Sequence, residues 1–348
     1  MPTSMPASLQ WLGRPAAEPA AAAARAEWVD VAKGMGILLV VIGHAIGGLL
    51  SARLFVQSSG WAAAFYLIYT FHMPLFFLLA GLFVQQRVAG DAGGFVRSAF
   101  TRIAWPYLLW SVIQLLVIDA LGSAVNTPTE FGPWRVVALL WQPTSQFWFL
   151  QALLVLHLSS RFFLPRFGAV ALLVLTLFAR AVGEWIELPP LLETLARFGL
   201  FYALGVLAGP AMLRLLGSVS RPRALAIAAV AFAVWAGVAI PAYLGGLAYW
   251  SPVTLPASLA GCGVVLALAT LPQGAGAAPW VALGQASMAI YVMHVLFVAG
   301  TRIVLVKLLG VDAPLLIFAL ALAAGLAGPM ALRALAARAG ATRLFGLG

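Results

Sequence analysis

Charge is what this sequence has least of. Asp, Glu, Lys and Arg make up 9% of the 348 residues, while 63% are hydrophobic. A water-facing globule carries about a quarter of its residues charged, so a soluble fold is excluded. Cysteine is almost missing too. The single Cys262 rules out an internal disulfide and every multi-cysteine metal motif, and it reads as a small buried residue. Acids are scarcer than bases, 10 against 20. In a soluble chain that imbalance would suggest nucleic acid, but there is no Lys/Arg stripe to track a phosphate backbone. No nucleic-acid partner is expected, and retention of positive charge in cytoplasmic loops accounts for the excess. Residues 1–26 lack the continuous apolar core of a secretory leader. They are rich in Ala and Pro, carry Arg14, Glu18 and Arg25, and read as a disordered cytoplasmic tail.

What the sequence has is apolar length. A spanning helix needs about 20 predominantly apolar residues. Ten runs approach or exceed that between polar punctuation: 31–52, 61–86, 102–122, 146–164, 167–183, 193–216, 223–245, 251–272, 280–309 and 313–336. The reading is an all-α, polytopic transmembrane bundle of about ten spans. It forms one domain over 27–340, followed by a short cytoplasmic tail at 341–348. The ninth run is long enough to include an interfacial turn around Pro279 to Gln285. No internal repeat marks an inverted-repeat transporter. With the N-terminus inside, fourteen of the twenty basic residues fall on one side, and Arg53, Arg135, Arg180, Arg197, Arg302 and Lys307 on the other. Both termini are therefore expected in the cytoplasm.

All four histidines fall near mid-membrane. His44 is 13 residues into the first run, about 20 Å deep at 1.5 Å per residue. His72 and His157 each lie 11 residues into their runs, about 17 Å from the other face, and His294 sits about as deep as His44. Ionisable groups at that depth face the bundle interior and mark a functional path. The plainer reading of each is a neutral imidazole bonding two helices together. His44 and His72 stand apart because denser polar patterns surround them.

The first pattern is Glu27-Trp28-Val29-Asp30-Val31-Ala32-Lys33-Gly34. Asp30 is placed to cap a helix start or to pair with Lys33 at i,i+3. Lys33 also suits a snorkelling anchor. Lys33 and His44 are eleven residues apart, close to three turns, so they share a helix face and are expected to line one pocket. In the second pattern, Thr70-Phe71-His72-Met73-Pro74, the proline frees the carbonyl of Thr70 and should bend the helix beside the histidine. The third runs from Arg97 through Arg102 to Pro106-Tyr107. Its arginines serve as topology determinants or as donors to a phosphate-bearing ligand.

Those patterns, with Asp30-Val-Ala-Lys33 leading to Gly43-His44, Phe71-His72-Met-Pro74, Arg102-Ile-Ala-Trp-Pro106-Tyr107, Phe147-Trp148-Phe149-Leu150 and Tyr291-Val-Met-His294, resemble the acyltransferase 3 family, most of all its fucose 4-O-acetylase-type branch. The resemblance implies a ten-helix enzyme, seated in a bacterial inner membrane. Such an enzyme passes an acyl group, here acetyl, from acyl-coenzyme A to a hydroxyl of a carbohydrate or glycolipid. The coenzyme is a co-substrate, nothing is bound permanently, and no metal is required. In this reading His44 is the general base or an acyl relay, and His72 holds the acceptor, shares proton transfer or, when protonated, stabilises the developing oxyanion. Lys33, Arg97, Arg102 and Arg161 hold the coenzyme's phosphates at the cytoplasmic mouth, while Asp30, Trp148 and His294 give support. Two positions depart from the family pattern. Lys33 stands where an arginine is common, and Ala80-Gly81 where Ser-Gly is common, so no hydroxyl acts there. The rival readings are a proton-coupled transporter or a non-catalytic partner in polysaccharide assembly. The oligomeric state stays open.

Overall fold

The structure is a computed structural model describing residues 19–57 and 59–347, with side chains from Glu27 onward. The expected tail lies outside the described residues as far as residue 18. Beyond it the alanine-rich stretch, made of the strongest helix former, already continues the first helix, α1 (Pro19–Ser51). The described residues form helices and turns and no strand.

The chain continues as α2 (Gly60–Tyr69), α3 (His72–Gly81), α4 (Val84–Val88), α5 (Ala92–Ala99), α6 (Trp105–Leu121), α7 (Pro133–Ala138), α8 (Trp148–Val182), α9 (Pro190–Leu216), α10 (Arg221–Leu244), α11 (Leu255–Leu268), α12 (Ala278–Gln285), α13 (Ser287–Ile303) and α14 (Pro314–Arg338). Among the described residues eight helical segments are long and apolar enough to cross a membrane, and Pro252–Leu268 is a shorter apolar helix. The runs at 146–164 and 167–183 are two limbs of α8, which kinks at Gly168 (φ 77°) three residues after Pro165. The long ninth run divides at Ala286 into α12 and α13.

Helix α1 is the axis of the bundle, touching α2, α3, α9, α11, α12, α13 and α14. Its inward residues Val31, Ala32, Ile37, Val40, Val41 and Ala45 are fully buried. Gly36 faces Phe76, Gly43 faces Tyr69 and Gly47 faces Phe65, so α2 and α3 run antiparallel to it. Arg87 in α4 is thereby returned to the end of the bundle where α1 begins. The outward faces of α8, α10 and α14 expose Phe167, Val170, Phe178, Val230, Phe232 and Leu315. That much uncovered apolar surface suits lipid rather than water.

Between α2 and α3 the backbone breaks at Phe71 (φ −139°, ψ −18°), beside the histidine and three residues before Pro74. The break is covered rather than left open. The Trp235 indole N–H donates to Thr70 Oγ1 at 3.1 Å, and the Cys262 thiol to the Phe71 carbonyl at 3.8 Å. The C-terminal residues pack back on α6, where the indoles of Trp105 and Trp110 donate to the carbonyls of Leu344 and Phe345 at 2.8 and 2.9 Å.

Candidate active site

Three of the four histidines converge. The His44 and His294 rings meet edge to face with centroids 4.7 Å apart, and Tyr69 bridges to His72, 6.3 Å from His44 and 4.5 Å from His72. The helix backbone sets the tautomer of each ring. The Nδ1 of His44 lies 2.9 Å from the Val40 carbonyl, that of His72 2.9 Å from the Ile68 carbonyl, and that of His294 2.8 Å from the Tyr291 carbonyl. A carbonyl only accepts, so Nδ1 carries the hydrogen and the lone pair sits on Nε2. His44 and His72 therefore present a basic nitrogen into a cavity of about 330 Å³ that both line. His294 is fully buried and its Nε2 has no hydrogen-bond partner.

Aromatic rings wall this cavity. Trp148 stacks on Phe198 at 5.1 Å, and Tyr69, Tyr249, Trp250 and Tyr291 complete the lining with Gln146. The Gln146 turn is firmly held: its side chain exchanges two hydrogen bonds with Gln114, at 3.3 and 3.0 Å, and its carbonyl accepts from the Tyr291 hydroxyl. The preceding Ser145 is left-handed (φ 48°), a conformation that costs a non-glycine residue about 1–3 kcal/mol and persists only when its surroundings impose it. Burial from water pushes the Tyr249 hydroxyl above the usual phenol range, so it stays a neutral donor.

Arg197 supplies the cavity's cation, lying over the Trp250 ring at 4.7 Å and paired with Glu193. Behind it the buried Arg180 donates to the carbonyls of Arg197 at 2.9 Å and Trp250 at 3.1 Å, tying α8, α9 and the loop after α10 together. Arg180→Met strips a charged donor from both carbonyls. A loss of about 1–3 kcal/mol per stranded group is expected, read as a lower melting midpoint of the protein in detergent. An unchanged midpoint would mean that the two carbonyls do not depend on it.

The remaining expected residues fall elsewhere. His157 does not join the other three. It lines a separate cavity of about 300 Å³ with Arg87, Ser98 and Arg102, at the end where α1 begins. Arg97 does not line that cavity. Asp91 caps α5, accepting from the Gly93 and Gly94 amides at 3.2 and 2.5 Å. Those amides, aided by the charges of Arg161 and Arg97, hold its carboxyl below the usual range. Lys33 pairs with Asp30 at 3.2 Å, the i,i+3 contact, but it lines neither cavity that His44 faces. At its level α12 closes onto α1, with Gly34 against Trp280 and Gly284 against Asp30. The shared helix face is thus covered at one end and open at the other. Trp148 lines the cavity, and His294 backs it.

Sequence reasoning missed Arg197, Arg180, Tyr249, Trp250 and Arg87. The one signal available for the first two was an arginine inside an otherwise apolar run. Among the described residues no three His, Cys, Asp or Glu side chains come together as a metal site.

A family model described as an acyltransferase domain matches residues 26–334. The chain is 27% identical over 190 residues to nodulation protein NolL of Mesorhizobium japonicum, an alignment covering 51% of this chain and 46% of the relative. It therefore spans about half the length of that curated relative. No solved structure matches the chain.

Proposed function

The chain belongs to the acyltransferase 3 family, and from that premise we propose that this membrane acyltransferase moves an acyl group, acetyl in the simplest case, from acyl-coenzyme A to a carbohydrate hydroxyl. The observation that carries the reading is the aromatic-walled cavity into which His44 and His72 turn their Nε2 lone pairs. Aromatic faces suit the apolar faces of a sugar ring. A neutral imidazole within hydrogen-bond reach suits removal of a hydroxyl proton near neutral pH.

In the proposed step the acceptor oxygen attacks the thioester carbonyl carbon while His44 Nε2 takes its proton. The tetrahedral oxyanion draws on the neutral Tyr249 hydroxyl, while the His72 Nε2 lone pair accepts a hydrogen bond from another hydroxyl of the acceptor and holds it in place. Collapse breaks the C–S bond, and the proton passes from His44 to the departing thiolate, giving the ester and free coenzyme A. A charged neighbour is not needed to orient His44, because Val40 fixes its Nδ1–H. An acyl-histidine relay at the same nitrogen leads to the same products.

The coenzyme's phosphates are best matched at the opposite end, where Arg87 and Arg102 share a cavity whose lining contains no carboxylate. Of the four cations expected there, Arg102 is the one so placed. Lys33 is engaged by Asp30, and Arg97 and Arg161 lie near Asp91. The orientation with both termini in the cytoplasm of a bacterial inner membrane puts this end on the side that holds the coenzyme.

The test is transfer of radiolabelled acetyl from acetyl-coenzyme A to a panel of oligosaccharides by the purified protein. Label in the sugar fraction with release of free thiol supports the reading. No donor turnover across short acyl chains sinks it. In the same assay Trp148→Ala is expected to raise the acceptor KM about tenfold, from the loss of one stacking face worth about 0.5–1.5 kcal/mol and its buried area, with little change in donor KM.

A further inference from the structure

A second, larger cavity of about 810 Å³ adjoins the first, sharing His44, Tyr69, Ser145 and Tyr249 with it. It lies toward the C-terminal end of α1, between Leu50 and Ser51 of α1, Ala62 and Phe65 of α2, and Val298 and Arg302 of α13. Arg302 is the anomaly in its wall. Its side chain is buried, 7% exposed, inside a helix of a membrane-spanning bundle. A cation there is costly and is expected to be paired, yet no Asp or Glu among the described residues lies within ion-pair distance of it. Its Nη1 donates to Asn126 Oδ1 at 2.6 Å, which leaves most of its five N–H donors unused. The Asn126 amide nitrogen donates in turn to the Gly48 carbonyl at 3.3 Å, which fixes the amide so that its oxygen faces the guanidinium. A neutral acceptor positions the arginine without cancelling its charge.

We infer that Arg302, aimed by Asn126, binds an anionic group of the acceptor, a carboxylate or phosphate, so that the acceptor is a negatively charged saccharide; this rests on the acyl-transfer reading of the adjoining histidine cavity. The fork of a guanidinium matches two oxygens of either anion. Eight residues of α13 separate His294, which touches His44, from Arg302, so the anion is held about 12 Å along the helix from the reacting centre. That is farther than across one sugar ring. The charge therefore belongs to a neighbouring residue of the glycan, or to the phosphate of a lipid carrier, whose chain the apolar walls at Leu50, Ala62, Phe65 and Val298 suit equally well.

The experiment measures binding, by ligand-dependent shift of the melting midpoint, of three probes to the full chain in detergent: trigalacturonate, neutral maltotriose and a polyprenyl diphosphate. Wild type is expected to bind at least one anionic probe about tenfold or more tighter than maltotriose, the scale of one charged hydrogen-bonded contact. Arg302→Gln should erase that preference. So should Asn126→Asp, which keeps the side-chain volume while a carboxylate neutralises the guanidinium, and which covers the case in which Arg302→Gln fails to fold. Preference for trigalacturonate places the charge on the glycan, and preference for the diphosphate alone places it on the carrier. No anionic preference in wild type, or one that survives both substitutions, overturns the inference even if acetyl transfer to sugars proceeds. An anionic preference lost in the variants, in a protein that turns over no acyl donor, would keep the anion site and sink the acyl-transfer reading.

Discussion

Replacing His44 with alanine is expected to lower acetyl transfer from acetyl-coenzyme A by about 10²–10⁴-fold, the range for removal of a positioned general base, without lowering the melting midpoint. The two halves of that expectation come from one geometry. Among the described residues the one hydrogen bond His44 makes is to Val40 in its own helix, so no tertiary hydrogen bond is lost with it, only its ring contacts with His294 and Tyr69. The half-buried ring turns its other nitrogen to the cavity, where nothing in the protein engages it. A histidine kept only to bond two helices would behave the other way, costing stability and sparing turnover. His44→Gln sharpens the distinction, because it keeps a polar group of similar reach and cannot accept and return a proton. If His44→Ala retains more than a tenth of wild-type transfer, the base is elsewhere and His72 becomes the residue to vary. His294→Ala is expected to lose less, since its ring backs His44 and does not line the cavity.

Local patterns were legible in the sequence and long-range convergence was not. The Asp30–Lys33 pair and the break before His72 follow from i,i+3 spacing and from the missing N–H of Pro74, and both are present. The ten apolar runs are helical over most of their length, because hydrocarbon allows a spanning backbone little besides a helix. Runs and helices do not match one to one, however: 61–86 breaks at Phe71, 280–309 divides at Ala286, and 146–164 and 167–183 share α8. Depth alone, however, could not say which histidines meet. His44, His72 and His157 were placed at similar depth by counting residues, yet His157 lies on α8 beside Phe95 and Tyr202, away from the other three rings. Face sharing on α1 was sound geometry, and it still did not predict the fate of Lys33, because it is silent on α12 covering that stripe. The cavity's cation and indole, Arg197 and Trp250, are 53 positions apart, yet the guanidinium lies directly over the ring and Arg180 ties the two backbones together. Nothing in the sequence near any of the three announces the others.

The same limit applies to a packing motif written in plain view, Gly205-Val-Leu-Ala-Gly209 in α9. Small residues four apart let two membrane helices approach to backbone contact, and here they do. A side-chain carbon on Gly205 would sit inside the van der Waals radius of the Leu78 carbonyl, on Gly209 inside that of the Leu82 carbonyl, and on Gly81 inside that of the Tyr202 carbonyl. All three obstacles are backbone, which cannot rotate away. Gly205→Val is therefore expected to cost about 3 kcal/mol or more, at or above the upper range for overpacking. It should appear as loss of monodisperse protein or a large fall in melting midpoint. Gly237→Ala in α10 is the matched control. A carbon there meets nothing within 4 Å, and removing backbone freedom from a helix interior should be neutral or stabilising by up to about 1 kcal/mol. The gentler Gly81→Ala tests what the contact is for. Helix α3 carries His72 and α9 carries Arg197 and Phe198, so prying them apart moves the histidine relative to the opposite wall of the cavity. Transfer should then fall further than the melting midpoint alone accounts for, and rise again with none of the acceptor concentrations that rescue Trp148→Ala. If Gly205→Val folds and melts like wild type, α3 and α9 are not in backbone contact, and the wall that faces His72 is misplaced.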